Sequence, residues 1–204
     1  MNVEQLWEIR VHTPRLVLRL PTDDELLRLY RVAEGGIHPP EEMPFFVAWT
    51  DELTEDSFLA FHRAAWKSWR PEKWTLNFVT FLDARPIGTQ GLWSEDFATT
   101  RTVDSGSWLG EPFQGRGFGT EQRAAMLELA FRGLGAEAAV SAALKGNVRS
   151  QRISEKLGYH FTATSEAAPR GEPVTQENYR LDRPDWRCPI PVEIVGLERC
   201  LPPV

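Results

Sequence analysis

Two cysteines, Cys188 and Cys200, are all the thiol chemistry in 204 residues. Their spacing contains no C-x-x-C, which argues against a zinc site or a disulfide framework, and no metal is expected. No stretch approaches the ~20 consecutive apolar residues that span a bilayer, so no membrane segment is expected. Residues 1–8 are acidic and lack the apolar centre of a signal peptide, which points to the cytoplasm. Positive charge is short too: 23 basic residues stand against 29 acidic ones, a net charge of −6. Nucleic acid and anionic membrane both ask for a dense cationic footprint, so neither is expected as a partner, and an amine suits the chain better. Lysine is scarcer still, since 19 of the 23 basic residues are arginine.

What is present is a glycine cluster. Residues 114–120 read Gln-Gly-Arg-Gly-Phe-Gly-Thr and sit between a strand-like segment, 102–109, and an apolar helix-forming run, 121–132. Backbone N–H groups in such a turn can converge on an anion with no Cβ in the way, and the following helix adds its positive dipole end. The pattern G-x-G-x-G lies past the middle of the chain, unlike the G-x-G-x-x-G that opens a dinucleotide-binding unit. No lysine follows the glycines, which excludes the P-loop route to ATP. A pyrophosphate cradle of another kind is left.

Along the chain, residues 16–20 alternate like a strand, and Thr22 is a good N-cap for a helix over 23–33 with acids in its first turn. Gly35 and Gly36 end that helix, and 35–50 has no period, reading as a loop long enough to be functional. Thr54 caps a second helix through about Trp69, with Phe58, Phe61, Ala65, Trp66 and Trp69 at helical spacing and Pro71 as its stop. Residues 74–82 and 87–93 read as strands joined by a hairpin turn over 83–86, and 102–109 is the next strand. After the helix that follows the glycines come a strand over 138–144 and a helix over 148–157 with Asn147 as N-cap and Gly158 as its closing residue. Strands over 159–164 and 175–181 finish the pattern. With no repeat and no linker, residues 1–204 read as one α+β (mixed α/β) domain around a central, mostly antiparallel sheet flanked by about four helices.

The order of these pieces resembles the GNAT superfamily of acyl-CoA-dependent N-acyltransferases, in particular its RimJ/RimL-like branch. The resemblance rests on Gln-x-x-Gly-x-Gly after Gly106-Ser107-Trp108-Leu109-Gly110, on Asn147-Val148-Arg149-Ser150, and on Glu155-Lys156-Leu157-Gly158-Tyr159. The opening Thr13-Pro14-Arg15-Leu16-Val17-Leu18-Arg19 and the exit Leu181-Asp182-Arg183-Pro184-Asp185-Trp186 extend it over most of the chain. The resemblance implies a splayed strand pair in which Trp108, Leu109 and Gly110 offer backbone groups to the pantetheine amides of acetyl-CoA or another acyl-CoA. It implies that Gln114, Gly115, Arg116, Gly117, Gly119 and Thr120 hold the pyrophosphate, with Arg116 or Arg123 adding charge. Asn147 and Ser150 would touch the CoA arm, and Ser150 is the proton donor proposed for the departing thiolate in that branch. Many relatives place a tyrosine where this chain has Ser154, so Tyr159 or a water is an alternative donor.

A lysine amine, with a pKa near 10.4, needs a base at neutral pH, whereas an α-amine near 7.7–8.0 is partly free already. Glu172, in the Arg170-Gly171-Glu172 turn, is the first candidate base, beside Asp104, Glu111 and His38. No nucleophile constellation argues for a covalent enzyme intermediate, so direct attack is expected. The acceptor is a protein amine or a small-molecule amine such as an aminoglycoside or polyamine. A succinyl-CoA-dependent transferase of the same fold, suggested by the His38-Pro39-Pro40 loop and the 196–201 tail, is the alternative, as is a non-catalytic CoA-binding module. The family resemblance also implies a homodimer or higher homo-oligomer, with 187–204 as a C-terminal arm.

Overall fold

The computed structural model describes residues 3–67, 70 and 73–197. Among them nine strands form one sheet: β1 (Arg10–His12), β2 (Val17–Arg19), β3 (Trp74–Leu82), β4 (Arg85–Ser94), β5 (Thr102–Leu109), β6 (Ala138–Leu144), β7 (His160–Ala167), β8 (Val174–Asp182) and β9 (Glu193–Val195). Their spatial order is β7-β8-β6-β5-β4-β3-β2-β1-β9, antiparallel throughout except for β5 against β6. The helices are α1 (Asp23–Glu34), α2 (Glu55–Lys67), a single turn α3 (Phe97–Thr100), α4 (Phe118–Glu128) and α5 (Val148–Lys156). This is the mixed α+β architecture expected from the sequence. No helix among the described residues is long and apolar enough to cross a membrane.

Local chemistry explains most boundaries. Thr22 and Glu25 form a reciprocal capping box at the start of α1, each side chain meeting the other's backbone N–H. Thr54 Oγ1 accepts from the Ser57 amide ahead of α2, and Ser68, Trp69 and Pro71 lie outside the described residues. The β3–β4 hairpin is tighter than expected: only Asp83 and Ala84 form the turn, at φ 48° and 61°, the paired positive values that match strand twist. The glycine-rich segment turns helical at Phe118, three residues before the apolar run suggested, because Gly117 takes φ 83° as the N-cap. The far end of this helix widens, with the Leu134 amide reaching Leu129 O across residues 129–133. Strands β1 and β9 were not anticipated; they pair with each other at the sheet's margin, so residues 193–195 of the expected arm belong to the sheet. Residues 198–204 lie outside the described set.

The core is two-sided. Asn77 of β3 meets His62 of α2, while Thr80, on the opposite face of the same strand, donates to Gln122 of α4. The sheet is therefore covered on both faces, and β3 and β4 are buried along nearly their whole length. Helix α4 is buried all round, including Glu121, Gln122 and Arg123. Gly88 is needed where β4 meets the end of β5, since a Cβ there would lie 2.2 Å from Trp108 O.

The feature that positions the site is the short pairing of β5 with β6. Only Thr102, Val103 and Asp104 pair, with Ala138, Ala139 and Val140. Beyond Asp104 the strands part, and Ser105 Oγ donates to Val140 O (3.4 Å) at the point of divergence.

Candidate active site

A cleft of about 960 Å3 starts at this divergence and runs to the N-terminus of α4. It is lined by β5 from Asp104 to Leu109, by Ala142 and Leu144 of β6, by Gln114, Gly115, Gly117, Gly119 and Thr120, by Asn147 and Ser150 at the head of α5, and by the loop before α2. Gly115 (φ 71°) and Gly117 (φ 83°) hold conformations that disfavour side chains, and the space where a Cβ of Gly115 would stand is open to 4 Å. Free N–H groups of the first helical turn thus face the cleft with the helix dipole behind them, the arrangement that receives phosphate.

The cradle is braced from the other end of the chain. Glu121, 7% exposed, accepts from Thr13 Oγ1 (2.6 Å), the Arg15 amide (3.1 Å) and Arg15 Nε (2.6 Å). Arg15 Nη1 also donates to Arg116 O (3.1 Å), inside the glycine turn. Thr13-Pro14-Arg15 is therefore a clamp on the cradle as well as the lead into β2. The side chain of Arg116 leans over the Phe118 ring, 5.1 Å from its centroid, and is not part of the cleft lining. Gln114 works as a brace: its amide donates to Ile37 O and Leu109 O (both 2.7 Å) and accepts from Arg149 (2.6 Å). Asn147 caps α5 by accepting from the Ser150 amide (3.2 Å) and donates to Pro44 O (3.5 Å), so its carbonyl side is structural while its position lines the cleft.

Most of the positive charge at the cleft comes from residues the sequence reading did not single out. Lys145, Arg149 and Arg152 line it, the two arginines one turn apart on α5, and that i,i+3 spacing was the available signal. Arg123 is instead sunk beneath the divergence, 3% exposed, where its guanidinium donates to the hydroxyls of Ser107, Ser141 and Ser154.

Of the candidate bases, Asp104 is the one that lines the cleft at the divergence; burial, and secondarily the charge of Glu95, pushes its carboxyl above the usual aspartate range. By strand alternation it shares a face with Trp108, whose ring packs against Trp49 (5.8 Å) and Phe58 (6.3 Å). Glu172 is exposed in the β7–β8 turn and Glu111 is exposed beside the glycine turn; neither lines the cleft. His38 does, with both ring nitrogens engaged, by Pro39 O and by Thr50 Oγ1 (2.8 Å each). Ser150 lines the cleft one turn from Asn147. The hydroxyl of Tyr159 is buried, and burial raises its pKa against the pull of the Arg123 charge.

The loop between α1 and α2 is fastened over the cleft. Arg170, in the β7–β8 turn, makes a two-pronged pair with Asp51 (2.7 and 2.8 Å) and donates to Pro40 O (3.0 Å). Pairing with Arg170 holds the Asp51 carboxyl below its usual range.

Residues 15–160 match the family model described as the acetyltransferase (GNAT) domain. The chain belongs to the GNAT family. Solved structures agree on the fold of this GNAT protein. Mycobacterium smegmatis RimJ in complex with CoA-disulfide is 14% identical, with a TM-score of 0.73 over 96% of this chain and 94% of that one. RimL, a ribosomal-protein α-N-acetyltransferase solved with coenzyme A, is 14% identical, with a TM-score of 0.72 over 83% and 95%. The microcin self-immunity acetyltransferase MccE, solved with acetyl-CoA and AMP, is 16% identical, with a TM-score of 0.68 over 83% and 93%. The GNAT assignment makes this chain an acetyltransferase-type enzyme.

Proposed function

We propose that this protein is an acyl-CoA-dependent N-acyltransferase that passes an acyl group, acetyl in its simplest form, directly to a primary amine. The observation that carries the reading is the continuity of one cleft from the anion cradle at α4 to the half-buried carboxylate of Asp104. The N–H groups of residues 115–120 bind pyrophosphate, with Lys145, Arg149 and Arg152 adding charge at the mouth. The unpaired side of β5 beyond Asp104 binds the amide-bearing arm. Asp104, rather than the exposed Glu172, accepts the proton of the incoming ammonium, directly or through a water, and Ser150 is the proton donor for the departing sulfur. The aromatic wall of Trp49, Phe58 and Trp108 excludes water from the acceptor side.

A thermal-shift panel with CoA, acetyl-CoA, succinyl-CoA, ATP and NAD comes first, followed by a screen of peptide N-termini, lysine peptides, polyamines and aminoglycosides for CoA release. At a ligand concentration ~100 times Kd, linkage gives roughly 2.7 kcal/mol of stabilisation. No response to any CoA species would sink the reading. Asp104→Asn should leave CoA binding intact and lower kcat/KM by about 100-fold, removing an acid limb that lies above the ordinary aspartate range because burial raises this pKa. Stabilisation by CoA species without turnover on any amine, in wild type as in the variant, would favour a non-catalytic CoA-binding module.

A further inference from the structure

Arg123 lies under the divergence of β5 from β6 and lines the cleft from below, 3% exposed. Its Nη1 donates to Ser154 Oγ (3.1 Å) and weakly to Ser141 Oγ (3.5 Å), and its Nη2 donates to Ser107 Oγ (3.4 Å). Its Nε is buried with no partner. Among the described residues no carboxylate pairs with it, and the nearby Tyr159 phenol is held in its neutral form by burial. Asp104, three residues before Ser107 on β5, faces the other side of the sheet, as strand alternation requires. Burial works against the guanidinium, which nevertheless stays charged because arginine does not deprotonate in proteins. A buried cation held by neutral hydroxyls is costly, and an arriving negative charge would offset that cost.

Acyl transfer generates such a charge in this place. The amine lone pair forms the C–N bond, the C–S bond breaks, and its electron pair goes to sulfur. Asp104 takes the proton that turns the incoming ammonium into a neutral amine, the second N–H proton leaves to solvent as the amide forms, and the thiolate takes one proton from solvent or from Ser150, which solvent then reprotonates. We propose that Arg123 is a further catalytic residue whose guanidinium stabilises the CoA thiolate as it leaves. The assignment rests on the acyl-CoA reading above. Arg123 gives up no proton; it holds the charge in a water-poor site, where a fixed cation acts far more strongly than in bulk solvent. Ser107, Ser141 and Ser154 aim it, and Ser154, which donates onward to Ser150 O (3.2 Å), ties it to α5.

The first arm of the test needs no acceptor amine, and the second uses an amine found in the screen above. The thiol of CoA bound to the full-length protein is titrated by the ultraviolet absorption of its thiolate. In the wild type it should ionise about 1–3 pH units below free CoA, and in Arg123→Met it should return toward the free value. Arg123→Met, close to arginine in length, should bind CoA within a few-fold of wild type yet lose about 100-fold in kcat on acetyl-CoA, with Arg123→Lys recovering part of the loss. A wild-type complex whose thiol titrates like free CoA overturns the proposal without any variant. An Arg123→Met enzyme that keeps its acetyl-CoA turnover and loses only succinyl-CoA turnover also overturns it, assigning Arg123 to a carboxylate on the acyl chain instead. A protein that binds no CoA overturns the acyl-CoA reading itself.

Discussion

His62 ties stability to pH through a single buried ring. It sits on α2 at 1% exposure, with ring centroids of Phe58 at 4.7 Å, Phe61 at 5.4 Å and Trp66 at 6.0 Å, and its Nδ1 faces Asn77 Nδ2 at 3.4 Å. Desolvation among these rings pushes its pKa down from 6.5 to about 4. The unfolded chain, free of those rings, binds a proton near pH 6.5. Between these values the unfolded state holds more protons than the folded one, so stability falls as pH falls. The neutral-His contribution is complete above about pH 7 and lost as pH approaches 4. From the two pKa values the loss between pH 7 and pH 5 is about 2 kcal/mol. Replacing the ring by His62→Phe removes the titration while keeping an aromatic body in the site. Urea unfolding followed by tryptophan fluorescence at pH 7, 6 and 5 should show the wild type losing about 2 kcal/mol more than the variant over that range. Comparing the two proteins cancels the carboxylates, including Glu25, whose pKa its pairing with Arg19 lowers to about 2. Parallel stability curves would refute the reasoning and mean that the ring takes up its proton within the folded state at an ordinary pH.

Three further outcomes follow from the geometry. Glu121→Gln should cost about 2 kcal/mol of stability and weaken CoA binding in calorimetry, because the charge-assisted bonds from Thr13 and Arg15 that steady the cradle are lost. Arg170→Ala should leave stability nearly unchanged, since both partners of the pair with Asp51 are open to solvent. The same change should raise the KM for the acceptor by loosening the 37–51 loop, and an unchanged KM would count against the loop as part of the site. Ala84→Gly should raise Tm by about 1–2 °C in calorimetry, since the relief of a left-handed alanine slightly exceeds the entropy that glycine adds to the unfolded chain.

Much of this protein is readable from local chemistry. Thr22 at the head of α1, Asn147 ahead of α5, the glycine closing that helix and a hairpin turn within 83–86 all act within a few residues, where sequence speaks directly. The cradle glycines are legible for the same reason. Contacts between distant segments were not. The Thr13–Arg15 clamp reaches Glu121 across more than a hundred residues, and β1 with β9 joins the two ends of the described chain through three-residue strands too short to show a period. The role of Arg123 was obscured by α4 itself: a helix buried on every side has no polar stripe to mark, so an inward arginine looks like a solvated one. Asp104 and Glu172 were indistinguishable as carboxylates in sequence, and the divergence of two strands is what separates them.

That divergence leaves an unpaired strand margin in the middle of a nine-stranded sheet. Exposed margins at the outside of a sheet invite pairing with other proteins and must be guarded by charge, bulges or covering loops. Here the hydrogen-bonding rim of β5 is enclosed instead, with β6 and β8 standing beyond it and the Arg170–Asp51 fastening nearby. The place beside β5 is already taken by β6 where Thr102, Val103 and Asp104 pair, so a further polypeptide strand cannot extend the ladder along the whole of that margin. A break in the ladder inside the sheet thus frees backbone hydrogen-bonding groups without adding an outer edge strand.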